Sequence, residues 1–118
     1  MITVIAQMIV NDGQMQAYLD FAVALKPMAD GIEGFISNER FQSVANPDKV
    51  LSLSFWKDEE SIKQFRKLEM HRLAEAKSRE SIFKDYQVTI ADVSRDYGMF
   101  NRKDAPEDSK KVYGSLSE

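Results

Sequence analysis

The stretch LSLSFWKDEESIKQFRKLEMHR, residues 51–72, changes its period halfway along, and that change decides the fold. Leu51, Leu53 and Phe55 alternate with Ser52, Ser54 and Trp56, the period of two expected of a strand. Asp58-Glu59-Glu60 then supplies an N-cap and first-turn negative charge that a helix macrodipole favours. This carboxylate cluster reads most simply as a helix start, ahead of a metal or acid-base site. Beyond it Ile62, Phe65, Leu73 and Ala76 fall on one stripe at roughly 100° per residue, predicting one helix or two through Phe83.

The same stretch holds the chain's only Trp and only His. On one unbroken helix His71 stands nearly opposite the Ile62 and Phe65 stripe and faces solvent. It turns toward the apolar side only if the helix breaks near Lys67-Leu68-Glu69.

Working outward, Lys49 is preceded by Asn46-Pro47-Asp48, a turn signal because Asn closes side-chain turns and Pro presets φ. Before the turn, Phe35 and Phe41 share a face with Ser37 and Glu39, and Ile36, Asn38, Arg40 and Gln42 share the other. The two alternating runs therefore read as a hairpin. Gln14 to about Asp30 has helical spacing, with Met15, Tyr18, Leu19, Ala22 and Leu25 on one stripe and Asn11 or Asp12 as N-cap. Pro27 predicts a kink or an early end. Ile2 to Val10 is β-branched and ends at Asn11-Asp12-Gly13; its apolar residues lie on both faces, so both faces are expected to be covered. A last strand runs from Tyr86 to about Tyr97, preceded by Arg79 and Glu80 as solvated helix ends.

The resulting order, β-α-β-β-α-β, is the α+β ferredoxin-like plan, with both helices on one face of the sheet. The other face then needs a cover, and a second sheet from another copy is the obvious one. Residues 1–99 form the expected domain. Residues 100–118 form a polar C-terminal tail, or an arm that orders on a partner subunit.

The chain has 118 residues, 43% hydrophobic and 30% charged, which suits a single soluble domain whose modest size favours association. Its net charge of −3 comes from 16 basic and 19 acidic residues mixed along the chain, so nucleic acid and anionic membrane are not expected partners. Without cysteine, disulfides and thiolate chemistry are absent, and one His cannot build a His-rich metal site, so no metal is expected. The apolar N-terminus lacks a basic leader pattern and is shorter than the roughly 20 residues of a membrane span, so a cytoplasmic protein is expected.

EGFISNERFQS, LSLSFW and HRLAEAKSRESIFKDYQVTIADVSRDYGM together resemble the antibiotic biosynthesis monooxygenase family of dimeric α+β barrel proteins. The telling pieces are Gly34-Phe35, the strand ending in Trp56, the His71-Arg72 pair and Arg95-Asp96-Tyr97-Gly98. The resemblance reaches from the first strand to about Met99. It implies a homodimer with facing sheets and a pocket in each subunit between sheet and helices. It also implies oxidation of small phenols and hydroquinones by O2 with no metal and no cofactor. A related branch degrades haem, with an Asn on the first strand, a Trp on the second helix and a His about one turn beyond the position of His71. Gln7, Phe65 and Glu75 stand at those places here, so the haem-ligating His is missing.

In that setting a lone His matters. A deprotonated electron-rich ring can itself reduce O2, so the protein need only remove a proton, exclude water and hold both reactants. His71 is the candidate catalytic residue, with a side chain that titrates near neutral pH. Trp56, Phe65 and Phe35 are the candidate apolar wall, although ordinary packing is the commoner role of a Trp at a strand end. Gln7, Asn38 and Arg40 are the candidates for orienting a ligand's polar groups. The six Met residues are scattered, as core filling requires. The first functional reading is a cofactor-independent monooxygenase acting on a small phenolic or quinol substrate. The second is a non-catalytic small-molecule binding or stress-response module of the same fold, and the third is a haem-handling protein.

Overall fold

In the computed structural model, which describes residues 1–75 and 82–110, six elements follow one another: β1 (Ile2–Val10), α1 (Met15–Asp30), β2 (Phe35–Gln42), β3 (Lys49–Trp56), α2 (Glu59–Glu75) and β4 (Phe83–Asp92). The strands form one antiparallel sheet in the order β2-β3-β1-β4, the ferredoxin-like α+β arrangement.

The local chemistry explains most boundaries. Between β2 and β3, Asn46 Oδ1 accepts the Asp48 N–H at 3.1 Å while Lys49 N–H bonds the Asn46 carbonyl at 2.9 Å, closing the hairpin. Asp58 caps α2: its Oδ1 accepts the Ser61 N–H at 2.9 Å, and Ser61 Oγ lies 2.7 Å from the same oxygen. Those bonds hold the Asp58 carboxyl below its ordinary value. Ser61 Oγ is also 2.8 Å from the Glu33 carbonyl, joining the start of α2 to the loop before β2.

Three expected boundaries shift. The N-cap of α1 is Gln14, with no side-chain capping bond there, rather than Asn11 or Asp12. α1 does not stop at Pro27 but continues through it to Asp30, and the Gly31 N–H bonds the Pro27 carbonyl at 3.3 Å. β4 begins at Phe83, opposite Val10, and a register irregularity beside Ile9 and Val10 hides this start from a period-of-two reading. It ends at Asp92, opposite Ile2 at the start of β1, rather than near Tyr97. Arg79 and Glu80 lie outside the described residues.

The helices pack on one face and bury two clusters at opposite ends of it. Val10, Tyr18, Val50 and Ile82 form one, and Ile32, Trp56 and Ile62 form the other. On the opposite face no helix among the described residues covers Ile5, Leu51, Leu53 or Phe55, which remain half-buried. After β4 the chain turns back on itself around Arg102, whose guanidinium bonds the Gly98 and Ser109 carbonyls and stacks 5.1 Å from the Tyr97 ring centroid. No helix among the described residues is long and apolar enough to cross a membrane.

Candidate functional site

Strand register builds the floor of a cavity between the two clusters. On the helix face, Asn38, Ser54, Val4 and Ile90 form one row across the four strands, and Arg40, Ser52, Ala6 and Val88 form the next. All eight line a cavity of about 370 Å³, within the size range of small-molecule sites. The roof comes from Leu25 and Ala29 on α1 and from Ile62, Phe65 and Glu69 on α2, the last three spaced to share one helical stripe. The helices leave β4 less covered: Val88 and Ile90 are about half exposed, which opens the cavity along that edge.

One end is aromatic. Trp56, 1% exposed, meets Phe35 edge-on at 5.1 Å between centroids and Phe65 at 5.3 Å. Its indole Nε1 donates to Ser54 Oγ at 2.8 Å, satisfying the one polar atom of a buried ring. Phe35 reaches this corner through a register irregularity between Phe35 and Ser37 that places it opposite Trp56. Regular alternation instead groups Phe35 with Phe41, so the bulge corrects that face assignment.

The other end is polar. Arg40 Nη1 donates to Asn38 Oδ1 at 2.7 Å, and Arg40 Nε donates to Tyr18 Oη at 3.1 Å. Asn38 in turn donates from Nδ2 to Ser52 Oγ at 2.9 Å. Burial raises the Tyr18 hydroxyl above its ordinary value, opposed by the neighbouring Arg40 charge. Burial likewise raises the Glu69 carboxyl, again opposed by Arg40. Among the described residues no group of three or more His, Cys, Asp or Glu could hold a metal ion.

Of the residues singled out from the sequence, Trp56, Phe65, Phe35, Asn38 and Arg40 come together on this cavity. His71 and Gln7 do not join them. α2 runs unbroken from Glu59 to Glu75, so His71 stays on the exposed side of the helix. Gln7 lies in the row Phe41, Leu51, Gln7, Gln87, on the helix-free face. Glu69 and Tyr18 were missed as site residues. The signal for Glu69 was available: it stands seven residues after Ile62 and four after Phe65, a carboxylate on an otherwise apolar stripe.

Residues 1–77 match the sequence profile described as antibiotic biosynthesis monooxygenase. A jasmonate monooxygenase from Pyricularia oryzae is 38% identical over 81 residues, covering 69% of this chain but 38% of that protein's length. Among solved structures, a conserved protein from Methanosarcina mazei superposes with a TM-score of 0.67 at 24% identity, covering 76% of this chain and 89% of the other. SnoaB, a cofactor-independent oxygenase from Streptomyces nogalater, superposes with a TM-score of 0.67 at 6% identity, covering 80% and 94%. At such identities the structural likeness speaks for the fold alone.

Proposed function

The chain belongs to the antibiotic biosynthesis monooxygenase family, and we propose that it is a cofactor-independent monooxygenase oxidising a small phenolic or quinol substrate with O2. The observation that carries this reading is the cavity's division into an aromatic corner, at Trp56, Phe35 and Phe65, and a polar end, at Arg40, Asn38 and Ser52. An aromatic ring fits the first, and its oxygen substituent meets donors at the second. In such a reaction the ring supplies the electrons. One atom of O2 enters the ring as a carbonyl oxygen, and the other leaves as water with the two hydrogens lost from the ring carbon and the hydroxyl. The cavity would bind and orient the ring, exclude water and steady the negative charge that develops on oxygen.

Oligomeric state bears on this function. The helix-free face carries Ile5, Leu51, Leu53 and Phe55, and covering it with the same face of a second copy would give a homodimer of facing sheets. A cytoplasmic location fits the composition.

The experiment is oxygen uptake by the purified, metal-stripped chain with a panel of phenols and hydroquinones, corrected for autoxidation. Protein-dependent uptake lost in Arg40→Met supports the reading; no uptake across the panel overturns it. The exposed position of His71 favours a second reading, a binding module that keeps the cavity without the chemistry. Ligand binding without oxygen consumption would select that second reading.

A further inference from the structure

With His71 on the outer side of α2, a phenolic proton needs another acceptor within the cavity. Among the described residues α2 sends one carboxylate there, Glu69, on the stripe of Ile62 and Phe65 and half-buried. The Arg40 charge acts on it electrostatically, yet among the described residues no ion pair closes between the two. Tyr18 and Asn38 instead engage Arg40 through Nε and Nη1, fixing the guanidinium plane while leaving other N–H donors of the fork for a guest. A carboxylate and a guanidinium thus line one cavity, near enough for the Arg40 charge to act on Glu69.

We infer that Glu69 is the proton acceptor of this cavity, taking the hydroxyl proton of a bound phenol or hydroquinone, and that Arg40 takes the resulting oxyanion. The inference rests on the reading of the cavity as a site for hydroxylated aromatics. The ligand O–H bond breaks, its electron pair stays on the ligand oxygen, and the proton moves to a Glu69 carboxyl oxygen. Negative charge thus passes from Glu69 to the ligand oxygen beside Arg40, and the charge of the site is unchanged. Burial strengthens Glu69 as a base by raising it above the ordinary carboxylate range. The other charged and titratable groups around this space are Tyr18 behind Arg40, Lys26 on α1 and Arg66 on α2, while Glu39, between Asn38 and Arg40 on β2, lies in the row of Leu53 on the opposite face. Lys26 is already tied to Asp30 at 3.3 Å. Tyr18 is a positioning residue, since it acts through Arg40.

The test uses 4-nitrophenol without oxygen, because its phenolate absorbs visible light and its neutral form does not. It is titrated into the intact chain at a pH where the free phenol is mostly neutral and Glu69 is ionised. Proton balance is read by calorimetry in buffers of different ionisation enthalpy. The expected result is visible phenolate on binding with no proton released to the buffer. Glu69→Gln should still form phenolate at Arg40 but release one proton for each ligand bound. Arg40→Met should weaken phenolate binding about tenfold or more.

Proton release by the unsubstituted chain, binding only of the neutral phenol, or no binding at millimolar concentration would each overturn the inference. Because the decisive readout is made on the unsubstituted chain, it holds even if a variant fails to fold. Since no O2 is present, a silent oxygen-uptake assay beside a positive proton balance would remove the monooxygenase reading and leave this one standing.

Discussion

Arg40 Nε donates to Tyr18 Oη at 3.1 Å, so one bond fastens β2 to α1 across the polar end of the cavity. Tyr18 is 2% exposed and packs with Val10, Val50 and Ile82, making it a rigid anchor for a side chain that would otherwise have many rotamers. Tyr18→Phe keeps the packing and removes the acceptor. The expected outcome is a stability loss of about 1 kcal/mol by urea denaturation, together with weaker binding of phenolate ligands.

Glu69 makes stability depend on pH with a definite sign. Its folded-state value lies above the ordinary 4.5, so the native state holds the proton more tightly than the unfolded chain. Its stabilising contribution is therefore fully present below 4.5 and is lost as pH rises through the raised value. Glu69→Gln, which cannot ionise, should match the original protein in acid and exceed it near neutrality. Urea denaturation of both proteins across that pH range checks the sign.

Gly34 adopts a φ of +98°, and a Cβ there would collide with Ser61 Oγ, the hydroxyl that links α2 to the Glu33 carbonyl. Gly34→Ala should combine backbone strain with loss of that link, costing about 2 kcal/mol or more. The measurement is the thermal midpoint.

His71→Ala separates an outer helix position from a role in the cavity. Removing a general base costs about a hundredfold or more in rate. From its exposed position, the substitution is expected to leave both oxygen uptake and nitrophenol binding within about twofold of the original.

Leu53 stands near the centre of the helix-free face, beside Ile5 on β1 and Glu39 on β2. Leu53→Arg places a charge where a second sheet would pack, so a dimer should give way to monomer by light scattering at equal concentration. An unchanged mass would show that this face is not the interface.

The alternation at Leu51 to Trp56, the turn at Asn46-Pro47-Asp48 and the cap at Asp58 are local signals, and each is read from a few neighbouring residues. They were enough for the element order and, through it, the ferredoxin-like sheet. The aromatic corner was partly legible too, because Trp56 and Phe65 lie nine residues apart in one stretch. Register was not legible. It took pairing between strands to put Arg40 beside Ser52 and Asn38 beside Ser54, to turn Gln7 to the helix-free face, and to let a bulge deliver Phe35 to Trp56.

The sequence by itself determined the elements and their periods, because side-chain alternation, caps and turns act over a few residues. Which polar groups share one cavity was decided only by tertiary structure. Tyr18, Arg40 and Glu69 belong to three different elements, and their meeting depends on how two helices lie across a paired sheet. His71 illustrates the boundary: helical geometry posed the alternatives, and the continuity of α2 chose between them.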